Sequence, residues 1–245
     1  MKKDDNFIFG SRPVIEALKS GRDLEKVLIQ RGMKTESFTE LMGLLKNSPV
    51  PYQFVPAPKL HRITRKNHQG VIAFVSEITY QKIEDVLPMI FERGEVPFLL
   101  FLDRITDVRN FGAIARSAEC AGIHAIVIPQ KGGAQINADA VKTSAGALHK
   151  IAVCREENLQ DSLKLVRESG VKVIAASEKG DMNYFEAGMR EPLALLLGSE
   201  EDGVSDSLLR LSDAIVKIPL KGSIDSLNVS VACGILAFEA VRQRM

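Results

Sequence analysis

The sequence predicts an α/β protein whose C-terminal part is built on a parallel sheet and preceded by a smaller α/β module. Three observations predict it. From Phe98 onward, near-continuous apolar runs recur: Phe98–Leu102, Ala125–Ile128, Ile151–Val153, Val171–Ala175, Leu193–Leu197 and Ile215–Leu220. Runs with no polar alternation suit strands buried on both faces. Helical segments alternate with them, near 110–121, 138–147, 158–169, 204–211 and 227–244, which is the pattern of a sheet covered on both sides. Finally, charge is divided along the chain. Residues 1–76 carry 13 Lys and Arg against 7 Asp and Glu, net +6, whereas residues 77–245 carry 19 against 24, net −5.

In chain order, Met1–Asn6 reads as a short polar tail. A helix is predicted over Phe7–Gly21, capped by Ser11, with Pro13 in its first turn, an apolar face of Val14, Ile15 and Leu18, and Gly21 at its end. Lys26–Gln30 reads as a strand. Ser37 and Glu40 form a capping-box pattern for a helix through Lys46. After the loop 47–51 come a strand at Gln53–Val55, a short helix at Pro58–Ile63 and a strand at Val71–Val75. Ile83, Val86, Leu87 and Ile90 have helical spacing, but Pro88 and Gly94 interrupt it. Residues 77–94 are therefore expected to be a partly helical linker on which two domains, 1–76 and 95–245, swing.

Several function classes are excluded by composition. No apolar run approaches the length of a membrane span, and nothing at the N-terminus resembles an export signal, so a cytoplasmic protein with no membrane partner is expected. Cys120, Cys154 and Cys233 lack CxxC spacing and read as reduced, mostly buried thiols; the four histidines have no metal-ligand spacing. No acid occurs between Glu40 and Glu77. That window holds Lys59, His61, Arg62, Arg65, Lys66 and His68, which points to a polyanion as the partner of the N-terminal module.

Three strand-end stretches carry the candidate chemistry, and ligands of such sheets bind beyond the carboxyl ends of the strands. In the first, Asp103–Arg116, Asn110 stands at a helix start and Arg116 one and a half turns later. A helix N-terminus with a guanidinium favours phosphate, and the small neighbours Ala113, Ala115 and Ala118 leave room beside it. In the second, Gly198-Ser199-Glu200-Glu201-Asp202-Gly203 follows an apolar strand. Gly198 allows close approach of a ligand, and Glu200 can accept hydrogen bonds from a ligand or from Asn110. Its three acids lack a second ligand cluster, so no metal is expected. In the third, a strand runs into Pro219, and Ser226 and Asn228 open a long apolar helix. Thr143–Ala147 would line the same cleft or serve helix packing. GxGxxG, GxxxxGK[ST] and GxSxG are all absent, which argues against a nucleotide-cofactor oxidoreductase, a P-loop enzyme and a Ser hydrolase.

In order, Asn110–Arg116, Gly198–Gly203, and Ile218-Pro219-Leu220 with Ser226–Ala232 resemble the three motifs of the SpoU (TrmH-like) RNA ribose 2′-O-methyltransferases of the SPOUT superfamily. Residues 6–76, with Phe9-Gly10, Val14–Leu18 and His68–Val71, resemble more loosely the substrate-binding domain of the branch that methylates a guanosine ribose in 23S rRNA. The resemblance implies a C-terminal domain with a deep trefoil knot, an exception to the rule of unknotted chains. It also implies S-adenosylmethionine as cofactor, bound by Gly198, Ile218 and Leu227. A homodimer, and a ribosomal-protein-like RNA-binding domain at 1–76, follow from it too. The catalytic set it implies is Arg116, Asn110, Glu200, Ser226 and Asn228, with no metal. A guanidinium stays protonated, so Arg116 is expected to hold the adjacent phosphate and the developing alkoxide rather than to act as a base. A tRNA ribose methyltransferase and a non-catalytic RNA-binding or ribosome-assembly protein are the competing readings.

Overall fold

The computed structural model describes residues 7–245; the predicted polar tail, Met1–Asn6, lies outside them. The described chain forms two compact units divided between Thr79 and Tyr80.

The first unit has a four-stranded sheet made of β1 (Phe7–Phe9), β2 (Leu24–Gln30), β3 (Tyr52–Val55) and β4 (Val71–Val75), in the order β1-β4-β2-β3. Only β2 and β3 are parallel. α1 (Ser11–Lys19) and α2 (Glu36–Lys46) cover one face, burying Val14, Ile15, Leu41 and Leu45 against Val27, Ile29, Val71 and Ala73. The other face is met by the short α3 (Ala57–Ile63), whose Leu60 packs on Leu28, Val55 and Ile72.

Three expectations fail here. Phe7–Phe9 is a strand paired with β4, not the start of a helix, because its partner lies more than sixty residues away and local periodicity cannot see it. The chain turns at Gly10 (φ 94°), so Ser11 is the buried first residue of α1 and caps nothing. In α2 the cap is Thr35, whose hydroxyl accepts the Phe38 N–H, not Ser37.

The second unit is a seven-stranded, all-parallel sheet. Its strands are β5 (Phe98–Leu102), β6 (Ala125–Pro129), β7 (Ala152–Glu156), β8 (Lys172–Ala176), β9 (Met182–Asn183), β10 (Leu193–Leu197) and β11 (Ala214–Lys217), in the order β7-β6-β5-β10-β8-β11-β9. Every residue of β5 and β10 is buried, as continuous apolar runs require of central strands. One face carries α4 (Ile83–Glu92), α7 (Leu159–Glu168) and α8 (Asp206–Leu209), which form one core with Leu99, Phe101, Val127 and Leu196. Beyond the other face, α5 (Val108–Cys120) packs on α6 (Ala138–Thr143) and on α9 (Val229–Arg244).

The expected linker is thus structural. Ile83, Val86, Leu87 and Ile90 are all buried in the second unit's core, while Pro88 sits on the solvent side of α4. The N-terminus of α4 is held by the buried carboxylate of Glu156, which accepts the Ile83 N–H at 2.8 Å. A bend within α4 would have to dismantle this core. Part of the room expected beside α5 is taken by α6. Gly112 lies so close to α6 that a Cβ there would stand 2.7 Å from the Ala140 carbonyl and from Thr143 Cβ, so Gly112 serves helix packing, and Ala115, Ala118, Ser144 and Ala147 are buried with it.

Cys154 and Cys233 are buried, and Cys120 is exposed. Burial pushes both buried thiols up to about 12, helped at Cys154 by Glu156, so neither forms a reactive thiolate near neutrality.

Candidate active site

The site grows from the C-terminal ends of β5, β10 and β11. Asp103 extends β5 by one bond, its N–H donating to the Leu197 carbonyl at 2.8 Å. Its buried carboxylate accepts the Ser205 N–H at 2.8 Å. Arg104 follows in a left-handed conformation, φ 59°, which is costly for a residue with a side chain. That turn aims its guanidinium at the loop after β10, where it donates to Asp202 at 2.9 Å and to the Gly203 carbonyl at 3.2 Å. The loop pinches shut on itself: Ser199 and Gly203 exchange N–H···O=C bonds of 3.1 and 2.9 Å. A Cβ at Gly198 would stand 1.9–2.1 Å from the backbone of Gly203 and Val204, so only glycine fits.

Asp107, unnoticed in the sequence as a cap, accepts the N–H groups of Arg109 and Asn110, each at 2.8 Å, and so starts α5. Asn110 therefore sits in the first turn, where its amide donates to Glu200 Oε1. Asn228 caps α9 through its oxygen, which accepts the Ser230 N–H at 2.9 Å. Its amide is left to donate to Asn110 Oδ1 at 3.0 Å and to Glu200 Oε1 at 3.4 Å. One residue from each of three strand-end segments thus meets in a closed triangle with a single carboxylate at its centre. A cavity of about 230 Å³ opens beside it, lined in part by Thr106, Asp107, Asn110, Ser199 and Glu200.

The other expected residues stand differently. Arg116 lies six residues beyond Asn110, turned about 120° around α5. It is exposed and makes no hydrogen bond or ion pair among the described residues. Seven residues apart, Arg109 and Arg116 share one face of the helix, and both are exposed. Ser226 is exposed, outside the triangle and without a hydrogen bond among the described residues. Ile218 is half-buried just past β11, and Leu227 is 39% exposed just before Asn228.

Between them, Pro219–Leu227 makes no backbone hydrogen bond within the described residues, and Leu220, Ile224 and Leu227 present apolar side chains to solvent. A segment with open N–H and C=O groups beside apolar side chains suits a ligand with a heteroaromatic ring and polar edges. Among the described residues, no group of three or more His, Cys, Asp or Glu is placed to hold a metal ion. No described helix is long and apolar enough to cross a membrane.

The model of the SpoU rRNA methylase family matches residues 97–238, and that of the RNA 2′-O ribose methyltransferase substrate-binding domain matches residues 7–81. Among curated relatives, the 23S rRNA (guanosine-2′-O-)-methyltransferase RlmB of Escherichia coli K12 is 34% identical over 97% of this chain and 98% of its own length. The RlmB of Photorhabdus laumondii is 37% identical over 89% of this chain and 90% of its own. Among solved structures, the AdoMet-bound rRNA methyltransferase of Sinorhizobium meliloti superposes with a TM-score of 0.63 at 27% identity, covering 98% of this chain and 87% of that one.

Proposed function

The chain belongs to the SpoU rRNA methylase family, and from that premise we propose that it transfers a methyl group from S-adenosylmethionine to the ribose 2′-hydroxyl of a guanosine in 23S rRNA. The observation that carries this reading is the triangle of Asn110, Glu200 and Asn228, together with Arg116, which shares α5 with Asn110 and makes no hydrogen bond or ion pair among the described residues.

The residues present fit S-adenosylmethionine. Gly198, Ile218 and Leu227 flank the two loops whose backbone and apolar groups are described above, and these loops would hold the adenosine. Bound there, the cofactor supplies a methyl group on a sulfonium, an electrophile that needs no metal.

The chain must then place the ribose oxygen in line and favour its charge as it attacks. Glu200 fixes the amides of Asn110 and Asn228, and so fixes the first turn of α5 against the first turn of α9. Among the described residues Arg116 has no partner to release before it can bind, which suits it to the phosphate beside the target ribose and to the developing alkoxide. Ser226, at the exposed end of the loop, would reach the ribose edge. The 2′-proton leaves to solvent or to a phosphate oxygen, because a guanidinium does not take it.

The apolar outer face of α9 supports a homodimer. Val231 and Phe238, seven residues apart, are 50% and 49% exposed with Ile235 between them, while Cys233, Leu236, Ala237 and Ala240 fill the inner face. A helix apolar on both sides needs a second surface, and this one begins at Asn228, so the partner subunit would border the site. Phe238→Asp is expected to yield monomers in sedimentation. The trefoil knot belongs to the same reading, supported by the return of α9 from the outlying β11 to pack on β10 at the centre of the sheet. Pulled from both ends, a knotted chain would stop short of its full extended length. We place the protein in the cytoplasm, where rRNA and free thiols both belong.

The deciding experiment is transfer of labelled methyl to ribosomal RNA and, separately, to tRNA, both from cells lacking the gene. Label at one ribose of 23S rRNA, lost with Arg116→Ala, is the expected result. Label in tRNA alone would overturn the substrate, and no label together with no cofactor binding would overturn the enzyme.

A further inference from the structure

We propose that the half-open face of the first unit's sheet is a stacking platform for unpaired RNA bases, built from Phe7, Phe9 and Phe74. The proposal rests on the reading of the chain as an RNA methyltransferase and says where, and in what form, the RNA is gripped away from the reacting ribose.

The sheet's register lines the rings up. Phe7 pairs with Phe74 and Phe74 with Lys26, making one row across three strands. Two residues on, Phe9, Ile72 and Leu28 make the next row on the same face. The short α3 spends its apolar residues, Leu60 and Ile63, on the Leu28–Ile72–Val55 end. The three phenylalanines are left only half-buried. The Phe7 ring lies 6.2 Å from both Phe9 and Phe74, edge-on to the latter. On the opposite face, under two full helices, Val27 and Ile29 of β2 and Val71 and Ala73 of β4 are buried completely.

Cations surround these rings. Lys26 Nζ stands 5.6 Å from the centre of Phe74, and Lys66 Nζ stands 5.8 Å from that of Phe9. Burial first and Lys59 second lower the pKa of Lys26, against a smaller opposing pull from Glu25. Lys59, Arg62, Arg65 and Lys66 are exposed and form no ion pair among the described residues. An open depression of about 540 Å³ lies along them, lined by Pro58, His61, Arg62, Ile63, Thr64 and Arg65.

Aromatic rings that accept bases, beside cations that track a backbone, are the two components of single-strand recognition. A protein partner would suit the rings but would leave a row of unneutralised cations at its border. A duplex would suit the cations, but its bases are already stacked. Only an unpaired strand uses both.

The test measures anisotropy of a short labelled single-stranded RNA, and of the same RNA in a duplex, with the full-length protein. Phe7→Leu and Phe74→Leu keep the apolar volume and remove the ring. Each should weaken single-strand binding on the order of tenfold and leave duplex binding unchanged, whereas Phe74→Tyr, which keeps a ring, should bind as wild type. Tyr52→Ala removes an exposed aromatic on the opposite face and should bind as wild type. S-adenosylmethionine affinity, measured by calorimetry on the same samples, should not move. Leucine variants that bind single strands as wild type, or that lose single strand and duplex equally, would overturn the platform. Absence of cofactor binding in the wild type would instead overturn the methyltransferase reading, and the ring comparison would still be readable by itself.

Discussion

The two sheets of this protein solve the same packing problem to different degrees. In the second unit both faces are closed, and every residue of β5 and β10 is buried. Nothing can bind to the sheet itself, so polar groups gather at strand ends, where Asn110, Glu200 and Asn228 hold one another. In the first unit two helices close one face and a seven-residue helix half-closes the other. There the sheet remains a surface, and what it offers is rings and cations that form no ion pair among the described residues. A closed sheet commits its ligand chemistry to loops and backbone, whereas a half-open sheet commits it to side chains. Substitutions should therefore fail in different ways in the two units.

The largest effect is expected at Arg116, on the helix that leads from the triangle. Arg116→Ala should lower turnover about 10³-fold while leaving S-adenosylmethionine affinity and the melting temperature near wild type, since nothing within the described residues leans on that side chain. A matching loss in cofactor affinity would place Arg116 in the cofactor site instead. Lysine at 116 should recover only part of the rate, because it cannot form the bidentate pair.

Backbone geometry comes next. Gly198→Ala must drive the Gly203–Val204 backbone away from a Cβ at 1.9–2.1 Å, and the loop that opens is the one expected to hold the cofactor. Cofactor affinity should fall about 10²-fold, read by calorimetry, reflecting about 3 kcal/mol of loop strain. Arg104→Ala removes two hydrogen bonds from outside the same loop and should cost about tenfold in affinity with little change in turnover at saturation. An unchanged affinity in Arg104→Ala would mean that the loop holds its shape unaided.

How much of this was legible depends on the same contrast. The closed sheet announces itself, because a strand such as Leu193–Leu197 has no polar residue to face water and must be central. The triangle was half legible: Glu200 and Asn228 stand in recognisable polar clusters at strand ends, but nothing local says that one carboxylate will serve both amides. Asp107 and Thr35 took the caps expected a few residues away, because the cap falls where the backbone turns into the helix and both neighbours were chemically suitable. Pro88 and Gly94 suggested a linker, yet four apolar residues at helical spacing outweighed one missing hydrogen bond on the solvent side. Arg104 left no trace at all, since a left-handed arginine is imposed by its partners across the loop. The half-open face hid for a related reason. Phe7 and Phe9 have meaning only beside Phe74, and that pairing spans almost the whole unit.

The smallest effect separates the two units by pH. In the first unit His68 is buried, and its Nδ1 accepts the Gly70 N–H at 3.0 Å, which leaves the ring proton on Nε2, facing His61 Nδ1 at 3.3 Å. Burial first, and His61 second, lower its pKa from the ordinary 6.5. The folded unit therefore prefers neutral His68. Above pH 6.5 neither state binds a proton there, and the full stability is present; as pH falls below it, the unfolded chain gains a proton that the folded unit resists until its own lower pKa is reached. Stability should decline through that window with a slope of at most about 1.4 kcal/mol per pH unit for one proton. His68→Gln, whose side-chain oxygen can still accept the Gly70 N–H, should flatten the slope while costing little at pH 8. Chemical denaturation followed by hydrogen exchange assigns the slope to a unit: protection should weaken with acid in β2 and β4, and not in β5 and β10. Equal weakening in both sheets would mean that the pH sensitivity has another origin, and that the contrast between an open and a closed sheet does not extend to their titration.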